Sequence, residues 1–373
     1  MLSLFKAYPQ LKAKLPYVSL AELPTLVHRL YNLEKKLNTE QLYIKRDDLS
    51  GLIYGGNKIR KLEFILGDVL KRKSQRVITF GFAGSNHALA TAIYAHSLGI
   101  STTAMLMPQV NAKYVRSNLL TSYDYGADIH QNQSKFALFI NTAYQFIRYT
   151  LKEAHLPYII APGGSSPLGA IAYVNAAFEL KEQITQGQIP EPDFIYLPLG
   201  TMGTAVGLLL GLKAVGLKSQ VIGVRVVAAQ FVNAEKIVRL FHQTNSLLHS
   251  LDSTFPDLEI TENDFCIRHD FFGKDYAYFT ESGVKAIAEM HDYEHIPLDG
   301  TYTSKTFAAL MQDIYKEDIK HTVILFWNTY NSRKLPTAFS YEDFHRLPQS
   351  FHRYFVENVQ PLDQEKLSPN RNF

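Results

Sequence analysis

Residues 42–66 read LYIKRDDLSGLIYGGNKIRKLEFIL, a strand-like run that leads through two glycines into an amphipathic helix. The two glycines, at positions 55 and 56, permit a tight backbone turn and the close approach of a flat ligand. Asn57 is predicted to cap the helix, which places Lys58 in its first turn, near the positive end of the helix dipole. The neighbouring cations Arg60 and Lys61 add to that field, so the free amine that attacks a carbonyl is favoured at Lys58. The alternative is a lysine that merely lies in solvent, as most lysines do.

Length, composition and charge limit the class of protein. The 373 residues are enough for two or three domains, and a hydrophobic fraction of 46% is typical of a globular protein with a packed core. A net charge of +3 gives no electrostatic basis for binding nucleic acid or an anionic membrane. The single cysteine, Cys266, cannot form an internal disulfide, the N-terminus lacks a secretory signal pattern, and no apolar run is long enough to span a bilayer. We therefore expect a cytoplasmic protein without a nucleic-acid or membrane partner.

Short apolar strands alternate with helical patterns from residue 77 onward, which is typical of parallel sheets built from crossover units. A first series has strands predicted at 77–82, 101–107 and 158–162, with helices at 85–99 and 134–154 between them. A second series has strands predicted at 194–199, 221–227 and 323–328. The chain is therefore predicted to have an α/β fold with two mainly parallel, twisted sheets flanked by helices.

A glycine-rich turn, residues 200–204 (GTMGT), follows the predicted strand FIYLPL and leads into a helix. Backbone N–H groups of such a turn and of the helix start converge on one point and favour a phosphate, and the hydroxyls of Thr201 and Thr204 add donors. The turn is not GxGxxG and no acidic residue ends the next strand, which argues against a dinucleotide. A P-loop at residues 51–58 is excluded because Ile59 stands where a magnesium-binding hydroxyl is needed.

The segment KRDDLSGLIYGGNKIRKLE closely resembles the pyridoxal-phosphate lysine motif of the 1-aminocyclopropane-1-carboxylate deaminase and D-cysteine desulfhydrase family, in the tryptophan-synthase-β-like group. The resemblance implies fold type II of the pyridoxal-phosphate enzymes, a homodimer, and Lys58 as the covalent anchor of pyridoxal 5'-phosphate. It also implies a discontinuous large domain, residues 1–60 and 168–373, with a small α/β domain at 61–167. The cofactor-binding residues that it implies, besides Lys58, are Lys61, Asn86, Gly200, Thr201, Met202, Gly203, Thr204 and Thr303.

The segment GFAGSNHALATA resembles the family's substrate-binding segment at a strand end. The resemblance implies that Ser85, Asn86 and His87 bind the substrate, with Ser85 and His87 on its carboxylate and Asn86 also on the cofactor's phenolic oxygen. The alternative is that Ser85 only caps the helix. The family has glutamine where this chain has Gly84, so one contact is missing. For APGGSSPLGA, residues 161–170, we favour a structural, hinge-like role.

Two tyrosines complete the resemblance. HDFFGKDYAYFTESG and LDGTYTSKT resemble family segments whose tyrosines line the site, which implies catalytic roles for Tyr276 and Tyr302 alongside Lys58 and Ser85. Most tyrosines in a chain with 22 of them are packing residues, so both positions depend on the resemblance.

Thr303 bears on the choice between the family's reactions. The deaminase branch has glutamate there, which keeps the cofactor's ring nitrogen protonated and makes the ring a strong electron sink, as opening a cyclopropane requires. A neutral hydroxyl supports that sink less, and a weaker sink is enough to expel a thiolate. We therefore predict a pyridoxal-phosphate-dependent lyase acting on a small amino acid, with D-cysteine as the first choice and 1-aminocyclopropane-1-carboxylate as the alternative.

An unusual loop and a histidine pair also bear on the predicted function. FWNTYNS, residues 326–332, departs from the family's usual His-Thr-Gly-Gly loop, and its larger Tyr330 and Asn331 raise the alternative of a changed substrate or of a non-catalytic cofactor-binding protein. His291 and His295 are spaced for a shared metal on a helix, but HExxH is absent, so no metal site is predicted.

Overall fold

The computed structural model describes residues 1–316, 319–335 and 341–364. Its strands are β1 (Val27–Arg29), β2 (Leu42–Lys45), β3 (Arg76–Phe82), β4 (Ser101–Met107), β5 (Asp128–Gln131), β6 (Tyr158–Ile159), β7 (Phe194–Leu199), β8 (Gln220–Arg225), β9 (Cys266–Arg268) and β10 (Ile324–Trp327). Its α-helices are α1 (Ser3–Ala7), α2 (Pro9–Lys14), α3 (Tyr31–Leu37), α4 (Asn57–Lys71), α5 (Asn86–Ser97), α6 (Lys113–Asp124), α7 (Lys135–Glu153), α8 (Pro167–Thr185), α9 (Gly203–Ala214), α10 (Ala234–Leu251), α11 (Glu281–Glu294), α12 (Thr303–Lys316), α13 (Arg353–Val356) and α14 (Pro361–Gln364). In these described ranges, no helix combines the length and the apolar character needed to cross a bilayer.

The chain divides into two compact units. Unit 1 comprises residues 1–15, 21–61 and 165–333, and unit 2 comprises residues 16–20, 62–164 and 334–373. The boundary falls inside α4, directly after Lys61.

Unit 1 contains a six-stranded sheet in the order β1-β2-β10-β7-β8-β9. All neighbouring strands are parallel except β1 and β2, and Leu325 of β10 lies in register with Tyr43 and Ile195 on either side. The central strands are continuous apolar runs, as expected for strands covered on both faces. Phe326 of β10 packs edge-on against Phe307 of α12, with ring centroids 5.2 Å apart, and both side chains are fully buried in the core.

Unit 2 contains a four-stranded, fully parallel sheet in the order β5-β4-β3-β6. Its helices begin where the sequence predicts. Ser85 caps α5 by accepting a hydrogen bond from the Ala88 N–H, and Ser134 caps α7 in the same way through Ala137. The two mainly parallel sheets and the alternating α/β order confirm the predicted fold class.

The C-terminal segment differs from the predicted division of the chain. The prediction placed residues 334–373 in the large domain, whereas the described part of this segment packs within unit 2. The Asn111 side-chain amide donates to the carbonyls of Tyr354 and Glu357, and the Arg116 guanidinium donates to the same Tyr354 carbonyl. These long-range contacts have no signature in the local sequence.

Candidate active site

The two glycines before Lys58 lie where other backbone segments of the chain approach closely. Gly56 has φ of +94°, and a Cβ added there would lie 2.8 Å from the Thr329 carbonyl oxygen and 2.9 Å from that of Tyr330. A Cβ at Gly55 would lie 2.0 Å from the carbonyl oxygen of Asp48. Glycine is therefore required here because other backbone segments approach closely, and the close approach of a flat ligand stays a prediction.

The sequence had suggested that Asn57 caps α4, but Asn57 is the first residue of that helix. Its backbone N–H donates to the Thr329 carbonyl over 3.1 Å, and its side-chain amide donates to the Thr204 hydroxyl over 3.0 Å. The second bond joins the residue next to Lys58 to the glycine turn, residues 200–204. The start of α4 and the start of α9 are thus tied together within unit 1.

Burial determines the acidity of the two lysines. Loss of solvent around the partly buried Lys58 lowers the pKa of its amine to about 8, so about one tenth of it is uncharged at pH 7. Burial, together with the nearby charge of Lys58, lowers the pKa of Lys61 well below its usual range. The lowered pKa at Lys58 that the sequence predicted is therefore present, although burial is its main cause.

Arg60 does not act on Lys58 as the sequence suggested, because it belongs to a separate buried ion network in unit 1. Its guanidinium binds Asp47 over 2.7 Å and Glu179 over 2.9 Å. Lys45 binds Glu179 over 2.6 Å. Although burial alone would raise the pKa of Glu179, Arg60 and Lys45 hold it at about 2. Asp47 also accepts hydrogen bonds from the Trp327 indole and the Tyr173 hydroxyl.

This ion network fixes the first turn of α4. Its members come from β2, from the 3₁₀ turn after it, and from α4, α8 and β10, and all the charged ones are almost fully buried. Buried charges in such a network depend on each other, since removing one partner leaves the others desolvated and uncompensated. The position of Lys58, two residues before Arg60, is therefore set by contacts far from it in sequence.

The glycine turn carries a set of hydrogen-bond donors. Met202 has φ of +67°, and α9 begins at Gly203 directly after it. The Gly203 N–H donates to the Ser165 hydroxyl over 3.1 Å, and that hydroxyl donates to the Thr201 hydroxyl over 2.8 Å. The Lys61 Nζ donates to the Ser165 oxygen over 3.4 Å. Three hydroxyls, including that of Thr204, thus lie around a helix N-terminus beside the Lys61 amino group, with no carboxylate among these contacts.

Ser165 is the residue that sequence reasoning missed, because residues 161–170 had been given only a hinge-like role. Its Oγ lies so close to Gly203 that a Cβ there would meet it at 2.7 Å. Its neighbour Ser166 has a different role and caps α8 by accepting from the Gly169 N–H. The sequence signal for Ser165 was the pair of serines before a helix that begins with proline. One serine is enough to cap that helix, so the second serine pointed to another contact. The donor set around Ser165 fits a phosphate dianion such as that of pyridoxal phosphate.

Tyr276 and Tyr302 lie together in unit 1. Their hydroxyls are hydrogen-bonded to each other, and the rings meet edge-on with centroids 6.3 Å apart. Burial, reinforced by Tyr302, raises the pKa of Tyr276 well above its usual value. Tyr302 also lies next to the glycine turn, because a Cβ on Gly200 would be 3.9 Å from its ring. The neutral Tyr276 hydroxyl is therefore bonded to Tyr302, whose ring lies beside the donor set.

Thr303 is the first residue of α12 and is fully buried. Its hydroxyl accepts a hydrogen bond from the Asp299 N–H over 2.9 Å and lies 3.4 Å from an Asp299 carboxylate oxygen. The Asp299 carboxylate in turn accepts from the N–H groups of Thr301 and Tyr302, while burial raises its pKa to about 6. The Thr303 hydroxyl thus helps to form the start of α12, and its predicted role at the cofactor ring stays a prediction.

Tyr330, in the loop that departs from the family pattern, is affected by the same carboxylate. Burial and the charge of Asp299 raise the pKa of Tyr330 above its usual value. Its phenol therefore stays neutral over the physiological range.

The three predicted substrate-binding residues lie in unit 2, at the N-terminus of α5. Ser85 caps this helix, and this contact is compatible with a second role toward a substrate. The Asn86 side-chain oxygen accepts from the Asn118 amide over 3.0 Å, and His87 is buried. Their predicted roles toward a substrate carboxylate stay predictions.

A steric constraint explains why position 84 is glycine, where the family has glutamine. A Cβ at this position would lie 2.6 Å from the Tyr114 ring and 2.8 Å from Val115. The Gly84 N–H donates to the Gln109 side-chain oxygen over 2.9 Å, so a glutamine amide from another segment lies beside the turn.

Comparison with known proteins agrees with this chemistry. The family model described as "Pyridoxal-phosphate dependent enzyme" matches residues 18–329. A Pyrococcus abyssi protein named "Putative 1-aminocyclopropane-1-carboxylate deaminase" is 32% identical over 89% of this chain and 95% of its own length. A Klebsiella pneumoniae protein named "D-cysteine desulfhydrase" is 30% identical over 88% of this chain and 97% of its own length. A solved structure described as "Crystal Structure Analysis of the ACC deaminase homologue" is 31% identical, has a TM-score of 0.74, and covers 87% of this chain and 94% of that one.

Proposed function

The chain belongs to the family of pyridoxal-phosphate dependent enzymes, and from this premise we propose that it is a lyase that eliminates a β-substituent from a small amino acid. D-cysteine is the proposed substrate, with pyruvate, sulfide and ammonia as products. The observation that carries the proposal is the Asn57–Thr204 hydrogen bond, which joins a lysine of lowered pKa to a phosphate-type donor set without a carboxylate among its contacts.

Each part of the donor set has a role in this proposal. Lys61, Ser165 and Thr201, with the Gly203 N–H, hold the phosphate group of the cofactor. Lys58 provides the amine that binds the cofactor covalently, and its lowered pKa keeps that amine available as a nucleophile. When bound, pyridoxal phosphate supplies a ring that spreads the negative charge left at the substrate α-carbon.

The chain's own groups then move protons. The Lys58 Nζ removes the α-proton of the substrate as general base. The Tyr276–Tyr302 pair supplies hydroxyl donors to groups that gain negative charge. In the overall reaction the carbon–sulfur bond breaks, sulfur leaves as sulfide, and one water replaces the amino group to give pyruvate and ammonia. Ser85 and His87 are proposed to bind the substrate carboxylate.

Deamination of 1-aminocyclopropane-1-carboxylate is the second candidate. The names of the Pyrococcus relative and of the solved homologue favour it. Against it stands Thr303, a neutral residue whose hydroxyl is already bonded to Asp299. A neutral group at that position supports ring opening less than a glutamate does.

The test is to supply purified, cofactor-loaded protein with D-cysteine, L-cysteine and 1-aminocyclopropane-1-carboxylate, and to measure sulfide, 2-oxo acid and ammonia. We expect sulfide and pyruvate from D-cysteine. Lys58→Ala should abolish turnover, while Lys71→Ala, at an exposed lysine at the end of the same helix, should leave it unchanged. Faster ring opening than sulfide release from either cysteine enantiomer would overturn the Thr303 argument, and absence of any 2-oxo acid would favour a non-catalytic binding protein.

A further inference from the structure

Residues 84–87, which lead into α5, are held by two side-chain amides from another part of unit 2. The Gly84 N–H donates to the Gln109 side-chain oxygen over 2.9 Å, and the Gly84 carbonyl accepts from the Asn118 amide over 2.9 Å. The Asn118 amide also donates to the Asn86 side-chain oxygen over 3.0 Å. Because that oxygen is occupied, the Asn86 side chain offers its N–H groups to a ligand.

The Gln109 amide has a fixed orientation. Its nitrogen donates to the Tyr114 hydroxyl over 2.9 Å, while its oxygen accepts from Gly84. Turning the amide over would break both bonds, because each end has the partner that suits it. A Cβ at Gly84 would lie 3.2 Å from the Gln109 nitrogen, so the amide also fills the space beside the glycine. Gln109 therefore presents a hydrogen-bond acceptor at one defined place, against which residues 84–87 are set.

The backbone of Gln109 is in turn bonded by the C-terminal segment. The Gln109 N–H donates to the Tyr354 hydroxyl over 3.1 Å, and the Gln131 amide donates to the same hydroxyl over 3.3 Å. Tyr354 is fully buried, and its carbonyl accepts from the side chains of Asn111 and Arg116. The family match ends at residue 329, so Tyr354 lies outside it.

The C-terminal segment is fastened at both ends of α6, the helix that follows Gln109. The N-H of Lys113, the first residue of α6, donates to the Asp363 carboxylate over 2.5 Å. Asp124, the last residue of α6, forms an ion pair with Arg346 over 2.9 Å. These contacts on either side of Tyr354 hold its hydroxyl at a set distance from Gln109.

We propose that Gln109 is a positioning residue for residues 84–87, and that the C-terminal segment acts on the proposed substrate site through the Tyr354 hydroxyl. The inference rests on the proposed function in one respect, namely that Ser85 and His87 bind the substrate carboxylate. Loss of the Gln109 side chain loosens these carboxylate donors but leaves Lys58, which removes the α-proton, unchanged. Substrate binding should therefore weaken while the chemical step keeps its rate.

The first test is steady-state kinetics of the cofactor-loaded protein with D-cysteine. Gln109→Ala should raise KM by roughly 2- to 10-fold, the value of one ordinary hydrogen bond, with kcat within about 2-fold of the wild type. Tyr354→Phe keeps the buried ring and should raise KM in the same direction. The double variant should have a KM no higher than Gln109→Ala alone, because Tyr354 acts through Gln109. Gln131→Ala removes the other donor to the Tyr354 hydroxyl and should leave KM unchanged.

The second test needs no turnover. Hydrogen–deuterium exchange of the cofactor-loaded protein, read by mass spectrometry with fragmentation that resolves single amides, should show Gly84 exchanging roughly 2- to 10-fold faster in Gln109→Ala. The neighbouring Ala83 N–H, which donates to the Met107 carbonyl over 2.9 Å, should keep its rate and serves as the internal control. Equal circular dichroism of the variants and the wild type checks that all of them fold.

The two tests separate this inference from the proposed function. A wild type that releases no sulfide from D-cysteine would overturn the proposed function, and the exchange of Gly84 would still decide the role of Gln109. Unchanged exchange of Gly84 in Gln109→Ala would overturn the inference. So would a fall in kcat at constant KM, or KM increases that multiply fully in the double variant.

Discussion

The side-chain amide of Asn57 donates a hydrogen bond to the hydroxyl of Thr204 over 3.0 Å. These residues are far apart in sequence, yet one precedes the candidate anchor Lys58 and the other ends the glycine turn. The bond therefore couples the position of the amine to the position of the proposed phosphate site.

We expect Asn57→Ala and Thr204→Val each to weaken pyridoxal phosphate binding by roughly 2- to 10-fold, the value of one ordinary hydrogen bond. The double variant should be no weaker than the worse single one, because both changes remove the same bond. Equilibrium titration of the apo-protein with cofactor, followed by absorbance, gives the three dissociation constants. Fully additive losses would show that the two side chains act separately.

The lowered pKa of Lys58 predicts how the rate of its reaction with pyridoxal phosphate depends on pH. Because burial lowers this pKa from 10.5 to about 8, the fraction of free amine rises through pH 8 and is nearly complete one to two pH units above it. The rate at which apo-protein reacts with pyridoxal phosphate should therefore rise with pH up to about 9 and then level off. Stopped-flow absorbance across this range measures it. A rate that still climbs tenfold per unit above pH 9 would indicate an ordinary exposed lysine.

Serines 165 and 166 offer a matched pair. Ser165→Ala removes a hydroxyl that bonds both the Gly203 N–H and Thr201, so it should weaken the affinity for pyridoxal phosphate while changing stability little. Ser166→Ala removes the cap of α8 and should lower the free energy of unfolding by about 1 kcal/mol while leaving cofactor affinity unchanged. Urea unfolding and cofactor titration of both variants separate the two roles. Equal effects of the two changes on affinity would contradict this division.

Breaking the buried ion network should be costly. Arg60→Met leaves Asp47 and Glu179 without their main cation, so the free energy of unfolding should fall by about 3–5 kcal/mol. Arg72→Met, which removes a solvent-exposed partner of Asp68 just beyond the same helix, should cost less than about 1 kcal/mol. Urea unfolding of the apo-proteins compares them. Similar losses of unfolding free energy in both variants would mean that burial does not increase the contribution of the ion network to stability.

Asp299 should make stability depend on pH. Its pKa in the folded chain, about 6, lies above the usual 3.8, so between these values the folded state binds more protons than the unfolded state. The contribution of Asp299 to the free energy of unfolding should therefore decrease as pH rises from about 4 to about 6, by up to about 3 kcal/mol. Subtracting the pH profile of Asp299→Asn from that of the wild type isolates this contribution. A difference that is flat or grows with pH in this window would refute it.

Local patterns were sufficient for the fold class. Apolar runs such as FIYLPL and VITFGF predicted strands of both sheets, and the parallel order followed from their alternation with helices. Ser85 was recognised as a potential cap from its place before a helix. These features depend on residues within a few positions of each other, and such short-range preferences are visible in a sequence.

Long-range contacts were not predictable in the same way. The sequence placed Arg60 beside Lys58 as a source of positive field, but the guanidinium bonds Asp47 and the distant Glu179 instead. Ser165 was missed for the same reason, since its partners Thr201 and Gly203 are 36 and 38 residues away. Which charge or hydroxyl meets which partner depends on the packed tertiary structure, and a periodicity argument contains no information about that packing.

The buried ion network also has a consequence for the order of biosynthesis. Asp47 and Arg60 leave the ribosome early, Glu179 follows more than a hundred residues later, and Trp327, which donates to Asp47, comes near the end of the chain. Contacts of such sequence separation form only once all their segments are present. A nascent polypeptide therefore lacks the contacts that position Lys58 until almost the whole message has been translated.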